Sequence, residues 1–348
     1  MKRALFMLGG MLGSAWSAVP PHSLEKMPQA AVQQAFQLLT RDFVGAGELD
    51  FAQLNRAALE GLLSRLALGA EVLSPAAPSS PLPKPAWMNE VLCVGIRLLR
   101  PRGFGEMQLE AMRAALQAAA QRDSQEELIL DLRLSWPDED LERAAAWLQC
   151  FVPAGEVAFK LRQIQGGEQS EAVAGRSAPL WKRPLLVLVD GESNNVAEAI
   201  AAVLQHRGLG LVIGSATRGA AVQYETRMLG GGWKLRFAKA ELLLANDQRL
   251  FGKGIKPQLV VAQDPQLKRE LFALQDDPKA LRRTVFDEPT VRFNEAALMA
   301  GRNPDLEAFL RQQAVPSAPP PPRDVVLQRA VDLLLARQQW KRPNPGKP

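Results

Sequence analysis

The chain has 348 residues, enough for one large domain or two smaller ones, and 47% of them are hydrophobic, so a substantial core can form. Its net charge of +5 comes from 42 Lys and Arg scattered among 37 Asp and Glu, with a single Tyr, which argues against a nucleic-acid partner. His22 and His206 are far apart and remote from cysteines or clustered acids, so no metal site is expected. No cofactor is expected either: Gly230–Gly232 reads as a hairpin-like turn, not a phosphate-cradling loop between strand and helix.

In chain order, Lys2-Arg3 followed by the apolar stretch Ala4–Trp16 and small residues reads as a secretory signal over 1–17, cut before Ala18. The apolar run is too short to span a bilayer, so no membrane span is expected once the signal is removed. A periplasmic or secreted location follows. Residues 27–73 read as a helical segment, with apolar residues at helical spacing in AVQQAFQLLTRDFV and FAQLNRAALEGLLSRLAL. Residues 74–88, opening SPAAPSSPLPKP, form a Pro-rich linker.

From 89 to 263 strands and helices alternate. Strands are expected at 89–100, 128–132, 156–164, 185–189, 210–214, 221–228, 233–244 and 257–262, with helices at 105–122, at about 138–150 and, after the turn Asp190–Asn195, one carrying Glu198 and ending at Gly208. That alternation predicts an α/β layer fold. Residues 264–339 are expected to be helical over 288–313 and 324–339, with a polyproline break at Ala318–Pro322. A disordered tail is expected over 340–348. Cys93 and Cys150 each sit in an apolar element, and sequence alone leaves their pairing open.

The most informative stretch is 184–223. The apolar strand Leu185–Val189 meets a turn, Asp190–Asn195, then a helix carrying Glu198, a second strand, and the loop Thr217-Arg218-Gly219-Ala220-Ala221-Val222-Gln223. Around it stand Glu48-Leu49-Asp50, the Gly61–Leu66 helix, Asp131-Leu132-Arg133 and Phe151-Val152-Pro153-Ala154-Gly155. Together these resemble the C-terminal processing (tail-specific) serine peptidases over about residues 30–70 and 90–263. The resemblance implies a crotonase-like core. In most of that family a PDZ domain stands where this chain has only its Pro-rich linker.

The resemblance also locates the chemistry. Such enzymes use a serine nucleophile three residues before the glutamate and a lysine base in the following loop, with glycine amides after the DLR motif facing the oxyanion. Counting from Glu198 and Gln223, the nucleophile position holds Asn195 and the base position Ala220, while Gln223 is retained. Asp138 and Glu139 stand where the oxyanion glycines should be. An amide forms no stable acyl-enzyme, and a methyl accepts no proton. Ser193 is two residues from the nucleophile position and would point elsewhere. Lys253, in Phe251-Gly252-Lys253-Gly254, mimics the family's lysine loop but falls far too late in the chain and reads as structural.

The sequence therefore reads as an exported, catalytically inactive tail-specific-protease-like protein that binds a protein or extended peptide. The alternatives are an active hydrolase with non-standard residues, such as Asp138 paired with Glu139, and a structural envelope protein. Oligomeric state is not legible.

Overall fold

The structure is a computed structural model, and it describes residues 27–43, 51–75, 87–122, 126–133, 141–163, 169–173, 178–286 and 322–341. The expected signal, Asp138 and Glu139, the helix at 288–313, most of the linker and nearly all of the polyproline break lie outside those residues. The chain divides into two compact units at Leu66/Ala67.

The first unit contains α1 (Gln29–Asp42) and α2 (Phe51–Leu66). Neither builds a core: Phe36, Leu39, Leu59 and Leu62 are all exposed. The helical segment expected to run to residue 73 ends earlier. A 3-10 turn at Ala67–Gly69 leads into strand β1 (Ala70–Leu73), part of the second unit.

The second unit is built on two sheets. The larger has the order β11-β8-β7-β4-β3-β2. Its strands are β2 (Met88–Cys93), β3 (Ile96–Arg100), β4 (Glu127–Asp131), β7 (Leu185–Val189), β8 (Gly210–Gly214) and β11 (Leu259–Val260). All neighbours are parallel except the edge pair β2–β3. The expected single strand over 89–100 is thus a hairpin. Gly95, at φ 76°, takes the left-handed turn that a side chain would resist.

Parallel sheets need both faces covered, and period-two alternation does this. Leu99, Leu128, Leu130, Val187, Val189 and Val212 point to one core, shared with α3 (Glu106–Arg122), α4 (Glu142–Leu148) and α5 (Asn195–His206). Ile96, Leu98, Ile129, Leu186, Leu188 and Ile213 point to the other. That second core is closed by α7 (Pro278–Val285) and α8 (Val325–Lys341), through Leu281, Val285, Leu327, Val331 and Leu334. Trp340 and Lys341, expected in a disordered tail, complete the last turn of α8.

The smaller sheet centres on β10 (Lys234–Leu243), which pairs antiparallel with β1, β9 (Val222–Met228) and β5 (Val157–Gln163); β6 (Gln169–Val173) pairs with β5. A further helix, α6 (Pro265–Leu274), starts at Asp264, whose side chain accepts from the amides of Gln266 and Leu267. α7 starts in the same way at Asp277. These Asp-Pro starts are strong helix signals that the sequence reading passed over. Both cysteines are free thiols.

Candidate functional site

The turn between β7 and α5 is set by short polar side chains. Asp190 Oδ1 accepts from the amides of Glu192 (2.9 Å) and Ser193 (3.2 Å). Ser193 Oγ accepts from the Asp190 amide at 3.0 Å and donates to the Leu132 carbonyl at 2.8 Å. The hydroxyl is fully buried and engaged on both sides, so it ties the turn to the end of β4 and is not presented as a nucleophile. Asn195 opens α5 with φ 42°, a left-handed backbone that Asn tolerates better than most residues. Such a sharp strand–turn–helix with a strained first helical residue is a usual way to present a reacting side chain.

Opposite this turn lies the loop 217–220. Glu198, one turn into α5 and fully buried, grips it. One carboxylate oxygen accepts from Thr217 Oγ1 and from the Gly219 amide (2.8 Å); the other accepts from the Ala220 amide (2.7 Å). Burial pushes the Glu198 carboxyl above its ordinary value, and these donors offset only part of that. The Arg218 amide donates to the Ser193 carbonyl at 3.1 Å, closing loop against turn. Gly219, at φ 81°, leaves no room for a side chain: a Cβ there would come within 2.9 Å of the Lys253 and Gly254 amide nitrogens.

Between turn and loop is a cavity of about 150 Å³, bordered by Asn194, Asn195, Arg218, Ala220, Tyr224 and Arg236, with residues 67–71 on its far side. Its lining, among the described residues, includes no Ser, Thr, Cys or Lys. Glu71 is held by Arg236 at 2.9 Å, and that guanidinium stacks on Tyr224 at 4.1 Å. The Tyr224 hydroxyl donates to the Leu68 carbonyl at 2.8 Å. Of the positions picked from sequence, Asn195 and Ala220 therefore border one cavity and are almost wholly buried. Gln223 is half-buried on β9, opposite Ala240, and does not border it. Asp138 and Glu139 fall outside the described residues.

Behind the turn lies a buried ionic cluster. Asp131 Oδ2 accepts from Arg100 Nε (2.9 Å) and Arg133 Nη2 (2.8 Å), while its Oδ1 takes Arg133 Nε (2.9 Å). Arg133 also forks onto Asp324, the residue that starts α8, at 2.8 and 2.9 Å. Phe272 of α6 lies 4.0 Å from the Arg100 guanidinium. Lys268, on the same helix, donates to Asp190 Oδ2 and Glu192 Oε2, both at 2.6 Å, and to the Arg133 carbonyl at 3.2 Å. The DLR motif is therefore structural here, joining the C-terminal helices to the turn that carries Asn195. Sequence reasoning missed Lys268 and Asp324 because each stands in an ordinary amphipathic pattern. Only the Asp before a helix at 324 was a visible signal.

Parts of the chain are similar to known proteins. Residues 96–261 match the family model described as peptidase family S41, so over those residues the chain carries a domain similar to that family. The "Probable CtpA-like serine protease" of Staphylococcus aureus (strain COL) is 27% identical over 145 residues, 41% of this chain and 28% of its own length. The "Carboxy-terminal-processing protease" of Bartonella bacilliformis is 27% identical over 174 residues, 48% of this chain and 39% of its own. The chain thus spans about a third of the length of these relatives. A solved candidate peptidase from Parabacteroides merdae superposes with TM-score 0.51 at 17% identity, covering 70% of this chain and 85% of that one. The expected mixed α/β, crotonase-like core of tail-specific proteases is the fold observed.

Proposed function

We propose that this protein binds a protein or extended peptide in the cavity between the 190–195 turn and the 217–220 loop, and does not cleave it. The reading is supported by one observation: Asn195 and Ala220, which the sequence resemblance sets at the family's nucleophile and base positions, border one cavity. Glu198 still holds the loop in place. A neutral amide cannot form an acyl-enzyme and a methyl group cannot take its proton, so frame and chemistry are separated. Asp138 and Glu139, in place of oxyanion amides, would oppose the negative charge of a tetrahedral intermediate. We place the protein outside the cytoplasm, on the strength of the expected signal.

The test is a paired assay on the purified protein. Incubation with casein and with unstructured peptides carrying apolar C-termini should yield no cleavage products. The same peptides, fluorescently labelled, should show saturable binding that Ala220→Trp, which fills the cavity, abolishes. Cleavage would overturn the inactive reading. Binding indifferent to the filled cavity would overturn the site.

A further inference from the structure

The lysine that mimics the family's lysine loop faces a different concavity. Lys253 sits on a turn, residues 250–254, in which Gly252 (φ 72°) and Gly254 (φ 65°) both adopt left-handed backbone. The turn is fixed on its inner side. The Gly252 amide donates to the Gly219 carbonyl at 2.8 Å, and the Lys253 and Gly254 amides both donate to the Leu250 carbonyl. A Cβ on Gly254 would meet the Thr217 carbonyl oxygen at 2.5 Å, so turn and loop are in direct backbone contact. The Lys253 side chain is exposed on the outer side.

That outer side is a cavity of about 300 Å³. Its rim carries Lys253, Lys256, Arg249 and His206, its floor is Leu244 and Ile255, and among the described residues no carboxylate lines it. Arg249 donates to Glu241 Oε2 at 2.9 Å, but the other oxygen of that carboxylate is already taken by Arg162. Among the described residues, Lys253 and Lys256 have no acidic partner. Gln205 Nε2 donates to the Lys256 carbonyl at 2.8 Å and fixes that backbone against the end of α5.

We propose that this concavity binds a phosphate-bearing ligand. Like charges gathered around one depression repel one another unless an anion sits among them. A multiply charged tetrahedral group can be reached by several cations at once. Lysine ammoniums, as point charges on flexible stems, suit phosphate oxygens, whereas carboxylate recognition favours the planar fork of arginine. The apolar floor accommodates a small organic portion beside the phosphate. Among the described residues, its lining has no member in common with that of the Asn195 cavity.

The experiment is a titration of the full chain with sodium pyrophosphate at near-physiological ionic strength, followed by calorimetry. Vesicles containing phosphatidylglycerol are tested in parallel by co-sedimentation. Saturable pyrophosphate binding is expected, weakened about tenfold or more in Lys253→Gln/Lys256→Gln and unchanged in Lys234→Gln, an exposed lysine on the β9–β10 hairpin. Vesicle binding with the same dependence, displaced by pyrophosphate, would identify a lipid headgroup as the source of the phosphate. Pyrophosphate binding alone would identify a free phosphate compound. Absence of pyrophosphate binding, equal losses in the double and control variants, or preferential binding of an oligoglutamate peptide would each overturn the proposal. The substituted lysines are exposed, and far-UV circular dichroism of each variant confirms that a lost signal is not unfolding.

Discussion

The Asn195 cavity and the ionic cluster behind it are adjacent but opposite in character. In the cluster, Arg100, Arg133, Asp131 and Asp324 are fully buried, and the two positive charges match the two negative ones through bonds of 2.8–2.9 Å. The cavity is bordered by Asn195 and Ala220, which on the proposed reading stand at the family's nucleophile and base positions, and the buried Glu198 secures the loop beside it. The contrast separates two demands on one scaffold. Burying four charges tolerates no loss of a partner, so the cluster must stay whole for the domain to stay folded. On the proposed reading, side chains that serve only the reaction can be exchanged without disturbing such a cluster.

The sharpest way to break this comparison is to remove one member of the cluster. Asp324→Ala leaves the Arg100 and Arg133 guanidiniums with Asp131 as their one carboxylate in the cluster, unties the start of α8, and should destabilise the domain by about 3–5 kcal/mol in urea unfolding. Arg133→Met combined with Asp324→Leu should recover part of that loss, because no unpaired charge remains. A double variant no more stable than the single would show that packing, not charge, dominates there. Lys268→Met comes next. It leaves Asp190 and Glu192 without their shared cation, but both are partly solvated, so about 1–3 kcal/mol is expected. Ser193→Ala removes the two hydrogen bonds of its hydroxyl and should cost about 1–2 kcal/mol, with no effect on any peptide turnover.

Acid titration sharpens the same contrast through opposite signs. Burial would raise the carboxyls of Asp131 and Asp324, but the Arg133 guanidinium more than offsets it and holds both below the ordinary carboxyl range. Their contribution is present above the unfolded value of about 4 and is lost as pH falls through the lower folded values. Glu198 runs the other way. Burial raises its carboxyl, so its contribution is fully present below the unfolded value and is lost as pH rises through the folded one. Glu198→Gln should therefore change stability by only about 1 kcal/mol near neutrality and flatten this weak-acid component, measured by urea unfolding at stepped pH.

Much of the frame was legible in the sequence. Leu185–Val189 and the apolar runs of β4 and β8 are readable as strands, and the meeting of Asn195 and Ala220 at one cavity was implied by the family resemblance. What was not legible has physical causes. The β2–β3 hairpin hides in one apolar run because its turn, Val94-Gly95, lacks a polar turn signature. Strand β1 is four residues long and gains its identity only by pairing with β10. Nothing next to Lys268 or Arg100 in the sequence announces their burial, because burial of a charge is decided by partners distant in the chain. Gln223, a family-like residue in sequence, turned out to sit on β9 away from the cavity.

The central claim is that this frame no longer cleaves, and one measurement addresses it most directly. The purified protein, incubated at neutral pH with a serine-directed acylating probe and with casein, is followed by intact mass and by product release. The expected result is no mass adduct and no products over the buffer control, since among the described residues no Ser, Cys or Lys borders the cavity. A stoichiometric adduct, or turnover that disappears on Ser193→Ala while the fold persists, would contradict it.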